Sequence, residues 1–422
     1  MNVSDTDRVS LDALCELIAV QRHPADLPEA RYVGLEHVPS GRMRWASVGR
    51  ASDMQSHKFT FQRNDVLYGK LRPYLDKAVL ADSGGLCTTE LLVLRAKPGV
   101  SPRFLACVAH APDFIAHAMA GVTGAHHPRT SWSHIAAFQL PSYDLDAQQT
   151  IAALLWRVHD LIAACETSTG AAQALKQVSM RELFTRGLRG EPQKETDFGT
   201  IPESWRVTTF SEIREWLQYG TSIHCTLEPR RFPVLRIPNV EPGRVNACDL
   251  KYCDLSEEDA EKYMLESGDL LFIRTNGVLE RLGSCAVYDG EPQKALFASY
   301  LIRARLKPGI DSRYVAYFYG SERGTSLVAG RATPAADGKY NLNTGTIDSL
   351  PLPLPPTLEE QREIVAILDA IDRKIDLHQL KRAVLDDLFK ALLHKLMTGE
   401  IAVDALDLSA LDRAPVPQGA PA

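Results

Sequence analysis

The fold is decided by two segments that share one pattern: Asp146-Ala-Gln-Gln-Thr-Ile-Ala-Ala-Leu-Leu-Trp-Arg-Val158 and Glu359-Glu-Gln-Arg-Glu-Ile-Val-Ala-Ile-Leu-Asp-Ala-Ile371. Each segment follows a proline-marked strand and carries acidic residues in its first turn, which suit the positive end of a helix dipole. Apolar residues then recur at the four-three-four spacing of a coiled-coil seam. Both segments are therefore predicted to begin long helices.

Each helix is expected to cover about 40 residues and to measure about 60 Å at 1.5 Å per residue. Such a helix cannot bury its seam on one compact domain, and the simplest partner is the other copy, packed antiparallel. Ordinary core helices are the alternative. Gly170 is expected to kink or loosen the first helix, because glycine is a poor helix former. The predicted seam positions are Ile151, Leu155, Val158, Ile162, Ile364, Leu368, Ile371 and Ile375.

The segments ahead of the two helices also repeat each other. In each half a short strand is followed by a Gly-Arg turn, and later an acidic turn residue opens a buried strand. The chain is therefore predicted to be two copies of one plan. The matching pairs are Val33–Val38 with Leu235–Val240, Gly41-Arg42 with Gly243-Arg244, and Asp65-Val-Leu-Tyr68 with Asp269-Leu-Leu-Phe272.

The predicted fold class is α+β (mixed α/β): two similar domains joined by two long antiparallel coiled-coil helices, with a pseudo-twofold internal repeat. A chain of 422 residues is too long for one ordinary domain. The predicted division is a first domain at 1–144, a first spacer helix at 145–188, a linker at 189–200, a second domain at 201–356, a second spacer helix at 357–400 and a flexible tail at 401–422.

Composition and charge exclude several classes of protein. The formal net charge of -6 argues against a uniformly basic nucleic-acid coat, although it leaves room for local basic loops. The chain contains no apolar signal region and no run of membrane-spanning length. Its eight cysteines are scattered, so we expect free thiols in the reducing cytosol. No metal site is predicted, because His126-His127 lacks Cys or acidic ligands at matching spacing.

Four runs of the sequence are distinctive: Asp65-Val-Leu-Tyr-Gly-Lys-Leu-Arg-Pro-Tyr74, Thr88-Thr-Glu-Leu-Leu-Val-Leu-Arg95, Ile201-Pro-Glu-Ser-Trp205 and Leu354-Pro-Pro-Thr-Leu-Glu-Glu-Gln361. These runs resemble the specificity subunits of type I restriction-modification systems, and the likeness covers nearly the whole chain. The first helix departs from the family pattern at Gly170, and it follows a single proline, Pro141, where the second helix follows Pro355-Pro356.

The resemblance implies a non-catalytic, cytoplasmic subunit with two target-recognition domains, each reading one half of a bipartite site in double-stranded DNA. The helices would set the half-site spacing and dock two methyltransferase (modification) subunits, and restriction subunits would join the full complex. It implies no cofactor for this chain, since the partner subunits would use S-adenosylmethionine, ATP and Mg²⁺, and no membrane partner.

Residues that can read DNA are expected in loops bracketed by glycine and proline, where Arg can pair with guanine and Asn with adenine. Many such contacts go to phosphates, and a solvated surface is the alternative for each charged residue. For the aromatic residues Tyr74 and Trp132, packing in the core is favoured. The candidates are Lys70, Arg72, Tyr74, Arg129, Thr130, Trp132, Arg274, Thr275, Asn276, Arg281, Arg331, Lys339, Tyr340 and Asn341.

Two other functions remain open from the sequence. A free-standing DNA-binding or architectural protein would use the same two domains without an enzyme partner. A nuclease with fused recognition domains would need a further catalytic domain, and no stretch is left for one. The sequence also lacks a Gly-x4-Gly-Lys-Ser/Thr loop, a His-Glu-x-x-His pair and the Asn-Pro-Pro-aromatic motif of adenine methyltransferases.

Overall fold

The computed structural model describes residues 8–124, 126–335, 338–401 and 403. The chain forms two compact units, of which the first is assembled from two separate segments and the second is one continuous stretch. The first unit combines Met1–Ser168 with His378–Ala422, and the second unit is Thr169–Leu377. Apart from 401 and 403, the predicted tail lies outside the described residues. The linear division into domains and spacer helices stays a prediction, because each compact unit includes part of both long helices.

In the described residues ahead of the first long helix, the first half of the chain forms eleven strands and four short helices. In chain order these elements are β1 (Arg8–Ser10), α1 (Leu11–Leu14), β2 (Cys15–Ile18), β3 (Gln21–Arg22), β4 (Arg31–Val33), β5 (Gly49–Arg50), β6 (Lys58–Phe61), β7 (Val66–Gly69), β8 (Ala78–Leu80), β9 (Gly85–Cys87), β10 (Leu91–Ala96), α2 (Pro102–Ala109), α3 (Pro112–Ala120), α4 (Trp132–Ile135), β11 (Gln139–Pro141) and α5 (Leu145–Arg186).

The second half follows a similar order and ends in the second long helix. Its elements are β12 (Gln193–Lys194), β13 (Ile201–Pro202), β14 (Arg206–Thr209), α6 (Phe210–Ile213), β15 (Arg214–Tyr219), β16 (Phe232–Leu235), β17 (Val240–Glu241), β18 (Gly243–Val245), β19 (Lys251–Cys253), α7 (Glu257–Glu261), β20 (Leu270–Ile273), β21 (Thr275–Asn276), β22 (Cys285–Val287), β23 (Leu296–Phe297), β24 (Leu301–Leu306), α8 (Ser312–Gly320), α9 (Glu322–Ala329), β25 (Thr333–Pro334), β26 (Tyr340–Asn341), α10 (Thr344–Asp348), β27 (Pro351–Leu354) and α11 (Leu358–Thr398).

The same antiparallel sheet lies at the centre of both units. Its strand order is β2-β10-β7-β8 in the first unit and β15-β24-β20-β22 in the second, where β18 and β17 extend it. A smaller pair, β1 with β11 and β14 with β27, joins the start of each domain to the strand that precedes the long helix. The two predicted copies therefore share their strand order as well as their sequence pattern.

Both faces of the central sheet are buried, which explains why its strands are apolar at consecutive positions. In β7, Val66 and Tyr68 pack in the core that contains α2 and α5, whereas Leu67 packs in a second core on the opposite face. In β20, Leu270 and Phe272 lie in one core and the residues between and after them in another. Alternate side chains of a strand point to opposite faces, so one run supplies two cores.

The long helices have the predicted extent. Helix α5 has 42 residues and α11 has 41. The expected interruption at Gly170 is wrong, because α5 continues through it. A glycine costs about 1 kcal/mol in a helix interior, a penalty that packing of the flanking turns can offset. No helix in the described part of the chain is long and apolar enough to cross a membrane.

Each unit contains an antiparallel pair of helical segments. In the first unit, the Tyr143 hydroxyl, just before α5, donates to the Leu396 carbonyl at 2.5 Å, and Glu166 pairs with Arg382 at 3.1 Å. In the second unit, Lys176 pairs with Asp372 at 2.7 Å. As the residue number rises along α5, the number of the contacting residue in α11 falls, so the paired segments run antiparallel. The predicted fold class, with two long antiparallel helices, is confirmed.

Six of the eight predicted seam residues lie in the cores of the two units, and Ile371 and Ile375 are not among the residues of those cores. Those of α5 share a core with the first domain and with Phe389 and Leu393 of α11. Ile364 and Leu368 share a core with the second domain and with Phe184 of α5. All the seam positions are buried except Ile371, which is half-buried. Each unit therefore buries its helix pair against its own sheet. The α5 set is Ile151, Leu155, Val158 and Ile162.

The contacts that dock each long helix on its domain are also repeated. The buried Gln148 side chain accepts a hydrogen bond from the backbone N of Ser101, the N-cap of α2, at 2.9 Å. Gln361 accepts the equivalent bond from Asp311, the N-cap of α8, at 2.9 Å. The glutamine that both helix openings share in the sequence therefore satisfies a donor at a buried helix terminus.

A buried aspartate at the turn before the central strand forms a two-bond ion pair in each unit. Asp65 accepts from Arg95 at 2.8 Å through each carboxylate oxygen, and Asp269 accepts from Arg305 at 2.8 and 3.0 Å. Both carboxylates are almost fully buried, at 2% and 1% side-chain exposure. The hydrogen bonds to Asp65 raise the pKa of Arg95. The repeated acidic residue thus closes the turn and joins β7 to β10.

We predict that Asp65→Ala lowers the free energy of unfolding by about 2 kcal/mol, because it leaves Arg95 without its buried partner. The control is Asp82→Ala, which breaks an ion pair to Arg31 whose two side chains are both more than half exposed. The control should cost less than about 0.5 kcal/mol. Urea unfolding followed by circular dichroism measures both, and equal losses would contradict the prediction.

Candidate nucleic-acid interface

In the first unit, the loop after β7 pairs with the segment that follows α3. The backbone N of Thr130 donates to the Lys70 carbonyl at 3.0 Å, and that of Arg72 donates to the Pro128 carbonyl at 2.7 Å. Two antiparallel bridges, Leu71 with Arg129 and Thr123 with Arg129, complete the pairing. We call this the first ribbon, and it consists of Lys70–Arg72, Thr123 and Pro128–Thr130.

The second unit contains the same arrangement as three short strands, β21, β26 and β25. Asn341 lies opposite both Thr275 and Thr333, as Arg129 does opposite its two partners. The backbone N of Leu342 donates to the Arg274 carbonyl at 2.7 Å. We call this the second ribbon, and it consists of Arg274–Asn276, Thr333–Pro334 and Tyr340–Leu342.

The two ribbons leave the central sheet at equivalent points. The backbone N of Lys70 donates to the Glu90 carbonyl at 3.0 Å, and that of Arg274 donates to the Tyr300 carbonyl at 3.1 Å. Glu90 and Tyr300 each directly precede the strand next to the ribbon's own strand. Lys70 and Arg274 therefore occupy the same place at the base of the two ribbons, and Arg129 corresponds to Asn341.

A tight turn follows the first strand of the first ribbon. Arg72 and Asp76 both have left-handed backbone conformations, at φ 51° and 48°, and Pro73–Leu75 forms a 3-10 turn between them. The turn leaves Tyr74 at 53% exposure, so core packing, which the sequence favoured for this residue, is wrong here. Trp132, by contrast, is partly buried against the core of the first unit, as the sequence favoured.

The side chains of the first ribbon differ in their solvent exposure and in their hydrogen-bond partners. Arg72 is exposed and Lys70 is half-buried. Arg129 donates to both carboxylate oxygens of Glu90, at 2.9 and 3.2 Å, and these bonds raise its pKa. Thr130 is buried at 3% exposure, and its hydroxyl has no hydrogen-bond partner among the described residues.

The second ribbon borders an open pocket of about 480 Å³. Arg274 lies over the ring of Tyr219, 4.6 Å from its centroid, and its Nη1 donates to the Ser299 carbonyl at 3.4 Å. Its buried Nε finds no acceptor in the described part of the chain. The stacked guanidinium forms part of the pocket wall, where Nη1 makes one long hydrogen bond. The pocket lining is Arg274, Thr275, Ser299, Tyr300, Ala335, Lys339 and Asn341.

The remaining candidates of the second unit lie around this pocket and beyond it. Asn276 is opposite Tyr340 in the ribbon, and its side-chain oxygen accepts from the backbone N of Val278 at 2.9 Å. Arg331 is exposed just before β25 and donates to the Leu327 carbonyl at 3.1 Å. Arg281 is exposed in the 3-10 turn that follows β21. These two arginines lie outside the pocket lining.

The sequence analysis missed several residues of the site. Ser299 and Tyr300 line the pocket, Tyr219 stacks on Arg274, and Glu90 binds Arg129. Glu90 lies in Thr88–Arg95, one of the runs that carry the family resemblance. Alignment of the two internal copies would have paired Glu90 with Tyr300, since each precedes a matching strand, and would have placed both beside the ribbons.

The arrangement offers hydrogen-bond donors and basic groups on exposed loops. Among the described residues, no group of three or more His, Cys, Asp or Glu side chains could hold a metal ion. Burial raises the pKa of the Cys107 thiol, which makes it a poor nucleophile. Lys70, Arg72 and Arg274 suit an anionic ligand with polar edges, such as nucleic acid.

Comparison with known proteins finds similarity to subunits of type I restriction enzymes. The family model described as "Type I restriction modification DNA specificity domain" matches residues 202–386. A Methanocaldococcus jannaschii protein, whose name assigns it to the type I restriction enzyme specificity subunits as MjaX, is 30% identical over 207 residues, covering 49% of this chain and 48% of that protein. The type I restriction enzyme EcoKI specificity subunit of Escherichia coli K12 is 29% identical over 221 residues, covering 48% and 47%.

The matches to these relatives span about half of their length. Solved structures extend the likeness of fold to nearly the whole chain. The type I restriction-modification S subunit of M. genitalium has a TM-score of 0.59 at 15% identity and covers 94% of this chain and 97% of its own. A chain from a structure of the type I R-M system has a TM-score of 0.56 at 19% identity, covering 95% and 100%.

The family model matches one half of the chain, and the other half repeats the strand order of that half and its ribbon. Residues 202–386 therefore match the model of the type I restriction modification DNA specificity domain, and the chain as a whole has the fold of the solved type I S subunits.

Proposed function

We propose that the chain is the DNA-specificity subunit of a type I restriction-modification complex, in which each domain reads one half of a bipartite DNA target. The observation that carries the proposal is the ribbon built twice, with Lys70 and Arg274 at equivalent positions in two copies of one sheet. One chain with two equivalent reading surfaces suits a target with two parts.

The chemistry of the ribbons suits base reading. Arginine pairs bidentately with guanine, and asparagine with adenine, in the major groove. Arg274 and Asn341 line one pocket, so both residue types are present at the same surface. The differences between the ribbons, with Arg129 corresponding to Asn341, suit two half-sites of different sequence. The overall charge of -6 poses no obstacle, because each ribbon carries basic groups of its own.

The long helices are the proposed docking surface for methyltransferase subunits. In the first unit, Leu380, Val384 and Leu388 of α11 follow one another at four-residue spacing and are 65%, 59% and 44% exposed. Residues at this spacing share one face of a helix. A contiguous apolar row on a surface helix suits a protein partner. The helices also set the half-site spacing in this proposal.

In this proposal the chain performs no covalent chemistry and needs no cofactor. S-adenosylmethionine would serve the methyltransferase subunits, and ATP and Mg²⁺ the restriction subunits. The proposed location is the cytoplasm, where the partners and the DNA would be.

The direct test is coexpression of the chain with the methyltransferase subunit encoded beside it, followed by single-molecule sequencing of genomic N6-methyladenine. A split methylated motif should appear only when both proteins are present. Methylation that keeps its site specificity without the chain would disprove the proposal. A chain that binds DNA but forms no complex with the methyltransferase would instead be a free-standing DNA-binding protein.

Substitutions in one ribbon should affect one half-site only. We predict that Arg274→Ala lowers methylation of the target about tenfold and relaxes base preference in one half of the motif, since one good base contact contributes about 1–3 kcal/mol. Lys70→Ala should act on the other half. Exposed Arg206, which lies outside the second ribbon, gives the control Arg206→Ala. Relaxation of both halves by either variant would contradict this assignment.

A charge in the apolar row of α11 should prevent complex formation. We predict that Val384→Asp weakens binding of the methyltransferase subunit at least about tenfold, because it buries a carboxylate in an apolar contact. Lys390→Asp is the matched control, because Lys390 is exposed on a different face of the same helix. Gel filtration and pull-down measure the complex, and circular dichroism checks the fold. Equal binding by both variants would rule out this surface.

A further inference from the structure

The arginines of the repeated Gly-Arg turn contact the long helices and not the ribbons. Gly41-Arg42 and Gly243-Arg244 follow equivalent strands in the two copies. Neither arginine belongs to a ribbon. Each instead reaches a long helix within its own unit, Arg42 at Glu166 and Asp386, and Arg244 at Asp376. The two copies thus repeat a contact between domain and helix as well as a reading surface.

In the first unit, Arg42 joins both helices of the pair. Its Nη2 donates to Glu166 of α5 at 2.6 Å, and its Nη1 donates to Asp386 of α11 at 3.3 Å. The side chain is only 20% exposed. Arg382 of α11 contacts the same two carboxylates, at 3.1 and 3.3 Å, so two arginines share two acidic groups. A shared, partly buried network of this kind is worth more than an isolated surface pair.

The residues after Arg42 extend this contact along α5. The backbone N of Met43 donates to Nε2 of the buried His159 at 3.1 Å, which requires that ring nitrogen to be unprotonated. Arg44 pairs with Asp160 at 3.2 Å and lies over the ring of Trp156. We call Gly41–Arg44 the docking loop. It follows α5 for about three turns, from Trp156 to Glu166.

The docking loop also touches the turn at the end of the first ribbon. The backbone N of Gly41 donates to the Asp76 carbonyl at 2.8 Å. The Asp76 carboxylate in turn hydrogen-bonds Nδ1 of the buried His110 at 2.7 Å, and its backbone N closes the 3-10 turn onto the Pro73 carbonyl at 3.0 Å. Since Arg72 begins this turn, hydrogen bonds and the backbone of the docking loop together connect the helix pair to the first ribbon.

In the second unit, the equivalent arginine binds one helix. Nη1 of Arg244 donates to both oxygens of Asp376 in α11 at 2.7 Å, and its Nε donates to Glu241 at 3.2 Å. Arg244 lies in β18, which pairs with β22, and β22 pairs with β20. The second ribbon begins directly after β20. Here the link to the ribbon runs through the sheet, while Arg42 is linked through a loop and a turn.

We propose that Arg42 and Arg244 are positioning residues that hold each ribbon at a fixed orientation to the helix pair of its own unit. The inference rests on the proposed function. These arginines would determine which spacer length between the half-sites is accepted, and they would not determine which bases are read. A domain released from the helices would still read its bases, but it would accept them over a wider range of spacers. An arginine that only stabilised the fold would lower activity equally at every spacer.

The test uses the complete complex of the chain with its methyltransferase subunits. Methylation rates are measured on duplexes that carry both half-sites with the native spacer, or with a spacer one base pair longer or shorter. The variants are Arg42→Gln, Arg42→Lys and Arg244→Gln. Arg31→Gln is the matched control, because it breaks an exposed ion pair of the first domain that does not involve the helices. Thermal unfolding of every variant is recorded in parallel.

We expect Arg42→Gln and Arg244→Gln to reduce the preference for the native spacer at least about fivefold, with the methylated bases unchanged. Arg42→Lys should recover most of the preference, because a lysine retains the charge between Glu166 and Asp386, and Arg31→Gln should leave it intact. An unchanged spacer preference in the glutamine variants, even with a lowered unfolding temperature, would overturn the inference. Absence of site-specific methylation by the unsubstituted complex would instead refute the proposed function.

Discussion

Burial of the long helices against the two sheets is the constraint on which the rest of the structure depends. One face of each central sheet is apolar along its strands, and in the first unit that face is covered by α5 together with Phe389 and Leu393 of α11. In the second unit, Phe184 of α5 and Ile364 of α11 occupy the corresponding place. Neither helix could bury its apolar residues alone in water. Each helix is therefore as much a part of the domains as a connection between them, and the ribbons inherit their orientation from this packing.

Much of this architecture could be predicted from the sequence, because it is carried by periodic patterns. The four-three-four spacing after Asp146 and Glu359 gave helices of the right length, and the acidic turns at Asp65 and Asp269 marked the central strands. The internal repeat was visible for the same reason: buried strands and helix openings tolerate few kinds of residue. The expectation for Gly170 was wrong because the helix penalty of glycine is only about 1 kcal/mol, and packing of the helix turns before and after it outweighs that penalty.

The candidate site was harder to predict, because it depends on pairings between distant loops. Sequence alone placed Lys70 and Arg129 in two loops but could not pair them, since the bridge of Leu71 to Arg129 has no local signal. It also could not foresee that Thr130 is buried, or that Arg129 is engaged by Glu90. The pairing register determines which face of the ribbon each side chain occupies, and the partner strand is about 60 positions away in the sequence of each copy. The loops were found, but their internal geometry required the fold.

The division of the helices between the units bears on how the chain folds as it is synthesised. The second unit is one continuous stretch, Thr169–Leu377, so all its parts emerge from the ribosome before the last turns of α11. The first unit is completed only by residues such as Phe389 and Leu393, which pack with Ile151 about 240 positions earlier. At a synthesis rate of about 5–20 residues per second, the apolar face of the first domain stays without its α11 contacts for more than about ten seconds. The domain made first is thus the last to close, and during that interval it is the part of the nascent chain most exposed to aggregation and most in need of a chaperone.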